Sequence, residues 1–291
     1  MIPDRSAFCT APDCSLANSR VLLEREAPYS QGGRTEQLSF EFRLCTKCRM
    51  GFVHPVPPED VLTCFYTSDY AYFQDPGGTP EREARSWKYR VARLRYGGGP
   101  ASLLARLAEL LAKKTATFTL GVPLTLPKDA RILDYGYGMG GWLLSMRTLG
   151  YSRLSGYDIA ANSERRGELA ARGIEVIPPG GMPHLEAASL DCVHLEHVFE
   201  HLNDPLAVLR SLYRLLRPGG LLLMTFPSIY PWLDVEDLAS SPHLDHLQLP
   251  IHLAHHSVES ARRLVSAAGF EKILTRVTAR ERFITLRAEK P

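Results

Sequence analysis

The stretch RILDYGYGMGGWLL, residues 131–144, limits the fold more than any other part of this 291-residue chain. A strand-sized apolar run enters a turn rich in glycine and leaves on a helical pattern. Glycine is needed at such a turn because it reaches positive φ and lets backbone approach a ligand closely. The alternation continues: strand LSGYDI, helix NSERRGELAARG, strand IEVI, strand LDCVHLE, helix DPLAVLRSLYRLL, turn RPGG and strand LLLMTF. Strands alternating with helices predict an α/β fold with a parallel, doubly wound sheet. Helix SVESARRLVSAAG and the strands FEKILTRV and RERFITLRA close the chain.

The charges around the turn say what it holds. Gly136, Gly138 and Gly141 fit G-x-G-x-x-G, and Gly136, Gly138 and Gly140 fit G-x-G-x-G equally well. Neither spacing is specific alone, so the flanks decide. Asp134, just before the turn, would repel a pyrophosphate but suits an ammonium or sulfonium group. Asp158 ends the next strand in GYDI, where a carboxylate can accept both hydroxyls of a ribose. A ribose with a cationic amino-acid end, and no phosphate, matches S-adenosylmethionine.

From about residue 129 to 291 the chain resembles the class I S-adenosylmethionine-dependent methyltransferases, on LDYGYGMG, GYDI, LDCVHLEHVFEHLNDP, LLRPGGLLLMTFPS and AAGF. The resemblance implies a Rossmann-like doubly wound sheet with a terminal antiparallel strand. It implies that Asp134, Gly136, Tyr137, Gly138 and Gly140 line the methionine part of the donor. Asp158 and Ile159 would meet the ribose end, Gly180 in the PPGG turn the adenine, and Glu196 and His197 the sulfonium. Tyr137 stands where a cysteine is common, and PPGG where an acid is common.

Residues 1–58 are expected to form a small zinc-ribbon-like unit, 59–117 a helical connector or lid, and 118–291 the donor-binding domain. In the first unit Cys9, Cys14, Cys45 and Cys48 fall in two pairs, Cys-x4-Cys and Cys-x2-Cys, separated by 30 residues. Four thiolates close a tetrahedral zinc shell, which leaves no open position and is structural. QLSFEFRLCTKC alternates Leu38, Phe40, Phe42 and Leu44 on one face, a half-buried strand delivering the second pair. CTKCRMGFVHPVPPEDVLTCFYTSDYAYF is similar to the N-terminal zinc-binding part of a bacterial methyltransferase subgroup that includes sugar C-methyltransferases. Their third domain has no counterpart, and Arg49 stands where glycine is usual.

Ten histidines offer titratable groups. HVFEH, 197–201, matches the inverted zinc-peptidase helix H-x-x-E-H, but its place after a strand in this motif order argues against a peptidase. Some quinone-pathway O-methyltransferases resemble the chain here and hold a divalent ion, which points to His197, Glu200 and His201. His243, His246, His252, His255 and His256 lie in the long connection after LLLMTF. LPIHLAHHS is similar to the subgroup's P-x-H-L segment, which sets His252 nearest the substrate. His252 and His201 are therefore the candidate catalytic residues, able to take a proton from an attacking hydroxyl.

The formal charge of +2 is too small to argue for nucleic acid, and no run is long enough to span a bilayer. The N-terminus lacks a signal-peptide pattern, so a cytoplasmic protein is expected. The reading is a methyltransferase for an oxygen or carbon of a small or carrier-linked molecule, such as a sugar or secondary metabolite. The competing readings are an RNA methyltransferase gripping its substrate with the ribbon and the basic 80–95 helix, and a scaffold with a vestigial pocket. No oligomeric state is implied.

Overall fold

A computed structural model describes residues 14–31, 33–68, 126–160, 163–235, 237–241, 244–277 and 282–291. The expectations for Cys9, the 80–95 helix, most of the 59–117 connector and His243 lie outside the described residues, as does the side chain of His246. Among the described residues no helix is long and apolar enough to cross a membrane.

The chain divides into two compact units. Unit 1 is Met1–Tyr70, His197–Arg210 and Phe226–Ile284, and unit 2 is Ala71–Glu196, Ser211–Thr225 and Thr285–Pro291. Each unit is thus assembled from separated stretches of sequence.

The strands of the α/β part are β4 (Arg131–Tyr135), β5 (Arg153–Tyr157), β6 (Glu175–Ile177), β7 (Leu190–Glu196), β8 (Leu216–Pro227), β10 (Glu271–Val277) and β11 (Phe283–Glu289). They form one seven-stranded sheet in the order β10-β11-β8-β7-β4-β5-β6. The pairs β4/β5, β4/β7, β5/β6 and β7/β8 are parallel. Facing β8, Lys290 exchanges backbone bonds with Gly219 and Gly220, and Thr285 meets Thr225. Numbers rise along β8 as they fall along β11, so the last strand is antiparallel, as the resemblance implied.

Helices α2 (Gly141–Thr148) and α3 (Ser163–Ala171) follow β4 and β5, and α4 (Pro205–Leu215) precedes β8. Ile132, Leu143, Met146, Leu169 and Cys192 are fully buried in their core. Burying each such side chain contributes about 1.5–3 kcal/mol before ordering entropy is charged against it. β8 begins earlier than the RPGG turn predicts, because Leu216 pairs with Leu190 and the two glycines are bonded to Lys290.

Unit 1 holds the hairpin β1 (Ser19–Gln31) and β2 (Arg34–Cys45), then β3 (Gly51–His54) and α1 (Glu59–Ser68). Phe40, Phe42 and Leu44 point to one buried face, as the alternation predicts. What the sequence reads as loop contributes a fourth strand, β9 (Ala254–His255), giving the order β1-β2-β3-β9. Gly51 lies opposite His255, and a Cβ on it would fall 2.4 Å from Phe42 Cζ. Only glycine fits there. Helix α5 (Val258–Ala267) then starts on a capping box of Ser257 and Ser260.

Candidate functional site

In unit 2 the glycine turn joins β4 to α2. Gly136, Gly138 and Gly140 have φ of 83°, 52° and 78°, all left-handed, which explains the spacing directly. The Gly138 N–H donates to Asp158 Oδ2 at 2.8 Å, and the Ala160 N–H to Asp158 Oδ1 at 2.8 Å. One carboxylate thus fastens the turn to the end of β5. The Gly136 N–H reaches the Tyr157 carbonyl at 2.6 Å.

Tyr137 fills the space where a smaller residue is common in the resembling family. Its ring is buried, and burial together with the Asp158 charge pushes its phenol up to about 12. A Cβ on Gly156 would lie 2.7 Å from Tyr137 Cδ1 and 2.9 Å from Leu143 Cδ1. The glycine of GYDI is therefore the complement of this tyrosine. Gly156→Ala is expected to cost about 1–3 kcal/mol through overpacking. Chemical denaturation measures it, and an unchanged midpoint would mean that the Tyr137 ring and the Leu143 side chain relax freely.

Asp134 is 2% exposed, and its Oδ1 accepts from His194 Nδ1 at 2.8 Å. Trp142, on the first turn of α2, lies flat on the His194 ring at 3.9 Å and 5°. Sequence reasoning passed over His194 and Trp142. The available signal was a histidine inside the otherwise apolar core of LDCVHLE. Ile159, beside Asp158, is 71% exposed, an apolar side chain open to a ligand. Gly180 turns at φ 77° after β6, and Glu196 ends β7. In the order β6-β5-β4-β7, the sequence-predicted donor residues of unit 2 thus gather at the carboxyl ends of four adjacent parallel strands, where open α/β sheets bind ligands.

Unit 1 carries the candidate catalytic histidines, His201 and His252. Phe199–His201 is a 3-10 turn rather than the helix a zinc peptidase needs. Glu200 is fully buried; its Oε1 accepts from His197 Nδ1 at 3.3 Å, and Oε2 has no hydrogen-bond partner among the described residues. His201 Nδ1 donates to the Ile251 carbonyl at 3.0 Å. His252 is 6% exposed, with Nδ1 likewise unpartnered among the described residues.

Burial pushes His252 down to about 2 and His256 to about 3, and lowers His201 and His255. Burial alone would raise Glu200. The His197 hydrogen bond and the neighbouring imidazoles outweigh it and hold this carboxyl down to about 2. Glu200, His201 and His252 offer ligand atoms all within 4.8 Å of one another. His197 is outside this group, at φ 56° with its ring edge-on to Phe283 at 5.2 Å, and His252 is the third member.

Cys14, Cys45 and Cys48 are buried, with sulfurs also within 4.8 Å of one another. The Arg49 N–H closes a knuckle onto the Cys45 carbonyl at 3.0 Å. Arg49 sits at φ 56°, which is the reason a glycine suits this place.

A methyltransferase domain family matches residues 101–275, more than half of the chain. The chain is 31% identical over 156 residues to an uncharacterized 37.1 kDa protein in transposon TN4556 of Streptomyces fradiae, covering 50% of this chain and 45% of that protein. It is 31% identical over 105 residues to a ubiquinone biosynthesis O-methyltransferase of Xanthomonas axonopodis pv. citri (strain 306), covering 34% and 44%. The chain thus spans less than half the length of either curated relative. Among solved structures, an S-adenosylmethionine-dependent methyltransferase of Mesorhizobium loti aligns with TM-score 0.44 at 20% identity, over 57% of this chain and 94% of that one. A possible histamine N-methyltransferase of Thermotoga maritima aligns with TM-score 0.45 at 19% identity, over 65% and 96%. With the family match falling on the strands that carry the glycine turn, this chain belongs to the methyltransferase domain family as a class I, S-adenosylmethionine-dependent member.

Proposed function

We propose that this protein moves the methyl group of S-adenosylmethionine to an oxygen, or a carbon, of a small or carrier-linked molecule such as a sugar or secondary metabolite. The observation that carries the acceptor half of this reading is the Glu200–His201–His252 group, with Glu200 and His252 buried and His201 half-buried. It begins four residues beyond Glu196, the last residue of β7. The quinone-pathway relative is by its name an O-methyltransferase.

Methyl transfer is an in-line displacement from a donor that is already activated. The protein supplies alignment, a dry pocket, and a proton acceptor where the nucleophile is a hydroxyl. Burial keeps His252 neutral at working pH with Nδ1 unpartnered among the described residues, and the Glu200 charge, which favours the imidazolium, offsets part of the cost of taking up the proton there. His201, held by the Ile251 carbonyl, is fixed beside it, the two rings 4.7 Å apart.

The same three residues fit a divalent ion. A buried carboxylate with one oxygen unpartnered among the described residues, next to imidazoles that resist protonation, is an anion that suits a cation. Bound there, such an ion would supply Lewis acidity that lowers the pKa of an acceptor hydroxyl. In the first unit Cys14, Cys45 and Cys48, with Cys9, are proposed to hold a structural zinc ion.

Transfer of radiolabelled methyl to a panel of sugar nucleotides, phenols and carrier-bound acyl groups tests the reading. Glu200→Gln and His252→Ala are expected to lower kcat about a hundredfold on an oxygen acceptor, the size of general acid–base assistance. Donor affinity should stay within about twofold, because the donor residues of the turn are untouched. Full turnover in both variants would remove this group from the chemistry.

A further inference from the structure

The glycine turn has a structural cost. Three left-handed glycines within five residues leave the unfolded and ligand-free backbone unusually free, and that freedom must be lost for a donor to be held in one geometry. What confines the turn is visible on its inner side. His194 is the Cα partner of Asp134 in the parallel β4/β7 register. Its Nδ1–H donates to Asp134 Oδ1 at 2.8 Å, with both side chains almost wholly buried. Its ring face carries the Trp142 indole, stacked at 3.9 Å and 5°. Asp134 precedes the turn and Trp142 follows it, so one imidazole touches both ends of the segment 135–141.

We propose that His194 is the positioning residue of the methyl-donor turn, clamping Asp134 on one side and Trp142 on the other so that Gly136, Gly138 and Gly140 are held ready for the donor. The assignment rests on the reading that this turn binds S-adenosylmethionine. The two contacts are chemically distinct, which separates them experimentally. The hydrogen bond needs a donor three bonds from Cα, which asparagine supplies. The stack needs a flat ring, which phenylalanine supplies. A buried carboxylate deprived of one of its donors is costly, so the hydrogen bond is the stronger half of the clamp.

Two measurements test this on the whole chain: calorimetric affinity for S-adenosylmethionine, and amide hydrogen exchange of Gly136, Gly138 and Gly140 without ligand. His194→Ala and His194→Phe are expected to weaken donor binding about tenfold or more and to speed exchange across the turn. His194→Asn should recover most of the affinity and the slow exchange. In steady state the loss should appear in KM for the donor, with kcat at saturating donor nearly unchanged. A role in core packing alone would instead be rescued by Phe and not by Asn, and that order would overturn the proposal. So would donor affinity and exchange equal to the unaltered protein in both Ala and Phe. Should the unaltered protein itself fail to bind the donor, the donor reading falls and carries this assignment with it, an outcome distinct from a failure confined to the variants.

Discussion

Asp158→Ala is expected to lower affinity for S-adenosylmethionine more than a hundredfold. Asp158 has two tasks. Toward the protein, its two oxygens accept from the Gly138 and Ala160 N–H groups, each at 2.8 Å, and so tie the glycine turn to β5. Toward the donor, the remaining lone pairs are those proposed to accept ribose hydroxyls. Hydrogen bonds to a charged group contribute about 1.5–3 kcal/mol each, and about 1.4 kcal/mol is a factor of ten in affinity. Alanine removes both sets and leaves two backbone donors of the turn without their partner. Asp158→Asn retains one carbonyl acceptor and the shape, so its loss should be nearer tenfold. Calorimetric titration with the donor and its demethylated product measures both. An alanine variant within threefold of the unaltered protein would refute the donor role assigned to this carboxylate.

The second large effect is expected at the other end of the chain. Cys48 is fully buried, and its sulfur shares a 4.8 Å cluster with Cys14 and Cys45. Its carbonyl accepts from Ser257 Oγ at 2.5 Å, the hydroxyl that also caps α5 by accepting from the Ser260 N–H. Within unit 1 the knuckle is therefore anchored to the segment that follows His252. A serine alcohol does not ionise at neutral pH and is a poor zinc ligand, so Cys48→Ser should abolish metal retention. Ligand binding to the folded state alone is folding free energy, and losing a structural zinc should cost several kcal/mol, on the order of 3–5 here, where an apolar core remains. Elemental analysis of the purified protein and thermal unfolding with and without chelator read this out. Protein that carries no zinc and unfolds identically in chelator would reduce the three thiols to packing residues.

The two constellations were not equally legible from residues. LDYGYGMG shows its turn openly because the demand for positive φ is met at Gly136, Gly138 and Gly140 themselves. The acid at Asp158 is legible for a similar reason, since a strand end fixes its place. The histidines were legible as a cluster but not as a geometry. His252 was expected to matter through resemblance, and His197 was expected beside Glu200 and His201 as a ligand. In the folded chain His252 lies close to Glu200 and His201, because the Leu253 N–H bonds the Glu200 carbonyl at 2.8 Å and the Val53 N–H bonds the Leu253 carbonyl at 2.9 Å.

Sequence by itself determined the β-α-β alternation, the glycine turn and the inward face of β2, each set by periodicity or backbone demands spanning a few residues. Tertiary structure decided the meeting of Asp134 with His194, 60 residues apart, the fit of Tyr137 against Gly156, and the recruitment of Ala254–His255 as a fourth strand beside β3. The physical reason is that such contacts follow from strand register and core volume. These are settled jointly by many residues distant in sequence, and no local pattern encodes which partner a buried polar atom will find.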